Sequence, residues 1–217
     1  MFHGRFCFHL NSEDSFSPEL PLATRKAKGG TMALWESGLD PYVKILPTTT
    51  AAVLPLVLSP PGLQSTAHIT VYLPTAGKDS DFLSEFAALD AIVSDILEDY
   101  DYPIYIRGDF NVNPKNSVRF QLLQHFCTKF SLINLDLGHP THHHFQGQGA
   151  SDAQLDLLLF RGPPSQSESL TSISCSLDNP LVMSHHDLLS SSFSVPRCAP
   201  KQASSLVSAP KVKNILE

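Results

Sequence analysis

Tyr105-Ile106-Arg107-Gly108-Asp109-Phe110-Asn111 is the stretch whose reading decides the fold. An apolar run over Ile104–Ile106 ends in Arg107-Gly108 and then presents a carboxylate and a carboxamide. Residues two apart on an extended chain point to the same side, so Asp109 and Asn111 are expected to project together from a strand end. A carboxylate so placed can take a proton from water while an amide holds that water or a phosphate oxygen. Gly, Asp and Asn are also turn formers. Taken alone, the stretch fits a polar turn after a strand equally well.

Outward from it, short apolar runs recur between turn signals, as strands do. They cover Thr31–Trp35, Val43–Leu46, Val53–Leu58, His68–Leu73, Ile104–Ile106, Leu132–Leu137, Leu155–Phe160 and Ile173–Leu177, with a last one after His186. Two segments break the rhythm. In Asp79–Glu98, Phe82, Phe86, Leu89, Val93, Ile96 and Leu97 recur at three- and four-residue steps, one face of a helix with Asp79 or Ser80 as N-cap. Ser117–Phe130 carries a similar stripe of Leu122, Leu123, Phe126 and Phe130. Strands, a helix, a strand, a helix and more strands predict an α+β, layered α/β domain with helices outside its sheets. That domain is expected over 29–195, after an irregular segment 1–28 and before a Ser-, Ala-, Lys- and Pro-rich linker or disordered tail, 196–217.

With 217 residues, 42% of them apolar, the chain suits one domain with a sizeable core. No apolar run approaches the roughly 18 residues of a membrane span. Ala51–Leu58, the longest, is short and holds Pro55. The N-terminus lacks the apolar block of a signal peptide, so the chain reads as soluble and intracellular, without a membrane partner. Cys7, Cys127, Cys175 and Cys198 show no CxxC spacing, which argues against a zinc site or a disulfide framework. Fifteen Lys+Arg against 21 Asp+Glu argue mildly against gripping nucleic acid through phosphates alone. A site where carboxylates hold a cation that meets a phosphate remains compatible with that charge.

Three further segments give the first stretch its meaning. His68-Ile-Thr-Val-Tyr-Leu-Pro74 is a strand running into a proline turn, with Tyr72 near its end. Ser151-Asp-Ala-Gln-Leu-Asp156 places Asp156 at the head of an apolar strand, and Ser184-His-His-Asp187 precedes the last run. The order VYLP, GDFN, S-x-x-x-LD, SHHD, with GGTMALW ahead of it, resembles the endonuclease/exonuclease/phosphatase superfamily. Within it, the chain looks most like the apurinic-type endonuclease of LINE-type (non-LTR) retrotransposons, over about residues 28–195.

The resemblance implies two packed mixed β-sheets flanked by helices, a DNase I-like sandwich, with the active site at one edge. It implies phosphodiester hydrolysis assisted by Mg2+ or Mn2+, with DNA as partner, a reverse transcriptase region downstream in the parent element, and a nuclear location. Asp109 would activate the water and Asn111 orient it or the phosphate, both serving as metal ligands. Tyr72 would contact the phosphate, His186 stabilise its charge, and Asp156 orient His186. The family opens with a strand and a Gln-Glu pair whose Glu is a principal metal ligand. Neither is seen before GGTMALW, and Asn11, Glu13 and Glu19 lie in a polar stretch read as strandless. The sandwich is therefore expected to lack its first strands, and the nuclease to be weakened or inactive. A non-catalytic remnant of the endonuclease and another phosphoesterase of the superfamily are the alternatives.

The remaining features carry less. SHHD places an imidazole where the family has Ser-Asp-His, a smaller departure than the Glu. His142-His143-His144 could bring at most His142 and His144 to one side of a strand, and reads as a polar strand beside the site. Gly29-Gly30 is a turn before a strand, because no Gly-Lys-Ser/Thr follows. Trp35 reads as core and not as a DNA wedge.

Overall fold

The computed structural model describes residues 6–11, 30–75, 77–113, 117–135, 140–142, 153–162, 172–176, 186, 188–192, 195 and 197. Its elements run β1 (Phe6–Asn11), β2 (Thr31–Glu36), β3 (Val43–Ile45), β4 (Val53–Leu58), β5 (Thr66–Tyr72), α1 (Asp79–Asp99), β6 (Ile104–Asp109), α2 (Ser117–Phe130), β7 (Ile133–Asn134), β8 (Asp156–Arg161), β9 (Ser172–Ser176) and β10 (Leu188–Ser192). Six strands form one sheet in the order β3-β4-β5-β6-β8-β7. β5 and β6 are parallel and their other neighbours antiparallel, so the sheet is mixed.

Alternation along the strands sorts the two faces. Ala67, Ile69 and Val71 of β5, Ile104 and Ile106 of β6, and Leu157 and Leu159 of β8 join one buried cluster with the helices. Phe82, Phe86, Leu89, Val93 and Ile96 supply it from α1, and Leu123, Phe126 and Phe130 from α2. The helical stripes read from the sequence are thus the faces that pack on the sheet. The N-cap of α1 is Lys78, with no side-chain cap bond, and not Asp79 or Ser80. Asp79 instead receives the Arg119 guanidinium at 2.7 Å, which removes its carboxylate from capping.

In the second layer the described residues form two antiparallel ladders, β1 with β2 and β9 with β10. β2 lies over β4 and β5, tied at its start by the Thr31 hydroxyl donating to the Ala51 carbonyl at 3.2 Å. Moreover, the segment read as irregular contains β1, and Asn11 is its last residue, paired with Thr31. FCFHLN alternates apolar and more polar residues, which is the strand period. Its partner lies some twenty residues on, so the pairing that makes it a strand is non-local.

On the face away from the helices, His68, Tyr105 and Phe160 form one row, with ring centroids 5.2 and 5.0 Å apart. His68 is buried. Its Nδ1 accepts from Arg107 Nη2 at 2.6 Å, and its Nε2 meets Thr66 Oγ1 at 2.8 Å. Burial first, and the Arg107 charge second, push its pKa down to about 3 from 6.5. Protonation would turn the acceptor nitrogen against a guanidinium. Between these two values the unfolded chain binds the proton and the folded chain does not, so stability is lost as pH falls from 6.5 toward 3. From pH 7 to 5 this group alone should remove about 2 kcal/mol. Ring 15N chemical shifts should show His68 still neutral at pH 5; a charged ring there would refute the assignment.

Between β2 and the sheet runs a groove of about 420 Å3, lined by Leu34, Trp35, Leu56, His68 and Arg107 among others. Trp35 is neither deep core nor free: it is half-buried and its indole N–H donates to Asp40 Oδ1 at 3.1 Å.

Candidate active site

Because β5 and β6 are parallel, both finish at the same edge of the sheet, and β8, antiparallel to β6, starts there. Register sets Tyr72 opposite Asp109 and Asp109 opposite Asp156. Three sequence-distant motifs thus contribute one residue each to a single row. β6 reaches this row through Gly108, whose φ is +132°. A Cβ at this position would fall on the Val71 carbonyl of β5, so no other residue lets the strands approach.

Asn111 does meet Asp109, but not by strand alternation. Its φ is 48°, the left-handed region, so the chain turns back on itself. The Asn111 backbone N–H donates to Asp109 Oδ1 at 2.9 Å, and its Nδ2 donates to Asp109 Oδ2 at 2.9 Å and to the Leu73 carbonyl at 2.7 Å. The side chain turns its nitrogen, and not its oxygen, to the carboxylate. The loop is sewn to its neighbours by Leu73 N–H to the Asp109 carbonyl and Phe110 N–H to the Leu155 carbonyl, both 2.9 Å.

His186 closes the group. Its Nδ1 lies 2.8 Å from Asp156 Oδ2, and its Nε2 is 3.8 Å from Asp109 Oδ2. With Nδ1–H donated to Asp156, Nε2 is left facing Asp109. Asp156 is itself fixed from behind, since its backbone N–H donates to Thr141 Oγ1 at 3.0 Å and Leu155 N–H to the same oxygen at 3.1 Å. Thr141 is fully buried. Asp109, also buried, has its pKa raised to about 6: desolvation is the largest cause and the Asp156 charge adds to it, while the Asn111 hydrogen bonds and His186 pull the other way.

The donor atoms of Asp109, Asp156 and His186 all lie within 4.8 Å of one another. Two carboxylate oxygens and a ring nitrogen at that spacing can close on one divalent cation, the oxygens suiting hard ions and the nitrogen softer ones. Among the described residues this is the sole such group. Tyr72, 41% exposed, flanks the row on the β5 side.

No protein-family model matches the sequence, and no curated protein matches it. Solved structures do. The human Nocturnin catalytic domain, in a structure with a bound sulfate anion, superposes with a TM-score of 0.56 at 16% identity, over 88% of this chain and 73% of that one. An endonuclease/exonuclease/phosphatase family protein from Leptotrichia buccalis gives 0.55 at 11%, over 89% and 73%. A 3′ phosphatase from Neisseria, NExo, bound to product DNA hairpin, gives 0.54 at 17%, over 70% of each. The fold is DNase I-like.

Within this DNase I-like frame, the structure brings together four residues singled out by sequence, Asp109, Asn111, Asp156 and His186, and sets Tyr72 beside them. Ser151, Ser184, His185, Asp187, His143 and His144 lie outside the described residues. Sequence reasoning missed Thr141, which holds Asp156, but read the histidine run as a polar strand beside the site, where His142 lies. His142 bridges in backbone to both Ala153 and His186, and its ring meets the His186 ring edge-on at 4.7 Å. The triple histidine signalled this spot. Nothing in the sequence marked the threonine before it.

Proposed function

We propose that this chain is a divalent-metal-dependent phosphodiesterase, a DNA-nicking endonuclease of retrotransposon origin. The observation that carries the reading is the convergence of Asp109, Asp156 and His186 from three distant segments onto one sheet edge. In the proposed reaction Asp109 takes the proton of the attacking water, and Asn111, anchored to Leu73, orients that water or the scissile phosphate. His186, fixed by Asp156, would in its imidazolium form donate Nε2–H to the developing charge on the phosphate oxygens. Tyr72 faces the phosphate from the β5 side. Asp109 and Asp156 would supply oxygen ligands to Mg2+ or Mn2+, with the amide oxygen of Asn111 as a further candidate, and the bound cation would supply Lewis acidity to the phosphate and leaving oxygen.

DNA as the substrate rests on the motif resemblance and on the fold shared with a phosphatase solved with product DNA. On this reading the nick would provide a 3′-hydroxyl to a reverse transcriptase encoded downstream, and the chain would act in the nucleus. No helix among the described residues is long and apolar enough to cross a membrane.

A second reading, a non-catalytic remnant, is favoured by one observation. The described cluster holds two carboxylates, and one of them, Asp156, is engaged by His186. Purified chain incubated with supercoiled plasmid in Mg2+ or Mn2+ separates the readings. Nicked circles that vanish with EDTA and return on adding back the cation are the expected result. Folded protein that nicks in neither metal would overturn the endonuclease, and failure to hydrolyse a general phosphodiester such as bis-p-nitrophenyl phosphate as well would point to the remnant.

A further inference from the structure

Arg119 stands on α2, outside every motif, yet it reaches both loops that carry the site. Its side chain is 3% exposed. Nε and Nη2 donate to Asp79 Oδ1 at 3.1 and 2.7 Å, and Nη2 donates also to the Thr75 carbonyl at 3.0 Å. Nη1 donates to the Pro74 carbonyl at 2.8 Å and to the Asn111 carbonyl at 3.3 Å. A guanidinium has five N–H donors, and these bonds use all five. Its plane also covers the Phe82 ring, 4.0 Å from the centroid.

Two of these acceptors, Pro74 and Thr75, continue the chain just beyond Tyr72, and the third carbonyl belongs to Asn111. The bonds make a closed ring: Asn111 Nδ2 holds Leu73, the next residue's carbonyl holds Arg119, and Arg119 holds the Asn111 carbonyl. That ring matters because Asn111 has a left-handed φ of 48°, a region asparagine visits more readily than other side chains but does not hold in one orientation by itself. Its backbone N–H is fixed by Asp109, its amide by Leu73, and its carbonyl by Arg119.

We propose that Arg119 is a positioning residue that locks the Tyr72 loop and the Asn111 loop to each other, so that the Asn111 amide stays aimed beside Asp109. Its catalytic meaning rests on the phosphodiesterase reading; the clamp itself does not. Lysine cannot replace it, because a single ammonium with three donors cannot span Pro74, Thr75, Asp79 and Asn111 in one plane.

The test uses the whole 15N-labelled chain. In the unmodified protein the Arg119 guanidinium should give separate, slowly exchanging proton signals; a freely rotating group would overturn the proposal without any variant. Arg119→Lys should leave the backbone amides of β5 and β6 protected while the Asn111 side-chain amide exchanges with water about tenfold faster or more. Where nicking is measurable, kcat should fall about a hundredfold with KM little changed, and Arg119→Met should be no better than Arg119→Lys. An Asn111 amide that behaves identically in Arg119→Lys, or a loss confined to KM, would overturn it. If the unmodified chain nicks nothing, the endonuclease reading fails, and the guanidinium and Asn111 signals still decide the clamp.

Discussion

Asp109→Asn is expected to lower nicking by roughly 10²–10⁴-fold, the range lost with a general base, and at the same time to make the metal-free protein more stable at neutral pH. Both effects follow from one cause. The carboxylate is buried and its pKa stands near 6, above the roughly 3.9 of an unfolded chain. Between those values the folded state binds the proton and the unfolded state does not. Stability therefore falls as pH rises from about 4 to about 6 and is level above that. Asparagine cannot ionise, so the variant escapes that penalty, as residues placed for chemistry often allow. Thermal melts in EDTA at pH 7 give the sign directly. A variant that melts lower would mean that the hydrogen bonds the carboxylate accepts from Asn111, one of which an amide nitrogen cannot accept, outweigh the cost of burying its charge.

The same substitution isolates His68. In the unmodified protein its slope and that of Asp109 oppose each other between about pH 4 and 6, so the measured profile should look flatter than either. With Asp109 neutral, the full loss of about 2 kcal/mol between pH 7 and 5 should emerge. For nicking at limiting metal, kcat/KM should climb with pH and level off near or below 6, because a bound cation favours the ionised carboxylate.

Gly108→Ala is expected to prevent folding, with a loss above about 4 kcal/mol. Its φ of +132° is closed to side chains, and the added carbon would sit on the Val71 carbonyl. Relief would require parting β5 from β6 at the residues that pair Val71 with Gly108 and Tyr72 with Asp109. Urea titration by far-UV circular dichroism should show no cooperative transition. A midpoint close to that of the unmodified chain would mean that the β5–β6 approach is looser than described.

The main sheet was legible because its central strands carry their own period. Alternation in Thr66–Tyr72 and the apolar run of Asp156–Arg161 need no knowledge of partners, and neither do the stripes of the two helices. β1 was not legible, since six residues in a polar neighbourhood become a strand only through a partner beyond a long connection. β7 shrank to Ile133–Asn134 from the expected Leu132–Leu137, whose last two residues lie outside the described ones. At the site, the motifs named Asp109, Asn111, Asp156 and His186 because their chemistry is written in side-chain type. The turn that joins Asp109 to Asn111, and the residues that hold it, depend on backbone carbonyls brought from elsewhere. An arginine eight residues after Asn111 looks in sequence like any cation on a helix surface.

Trp35 is the chain's single tryptophan, and it sits in the outer ladder over the groove, half-buried beside Asp40. Tyr105, stacked between His68 and Phe160, belongs to the main sheet. The two layers can therefore be followed separately: indole emission reports the outer one and the ring resonances of Tyr105 the inner. In a denaturant series, coincidence of the two signals would show the layers melting as one cooperative unit, and separation would show the hairpin letting go of a sheet that stands without it.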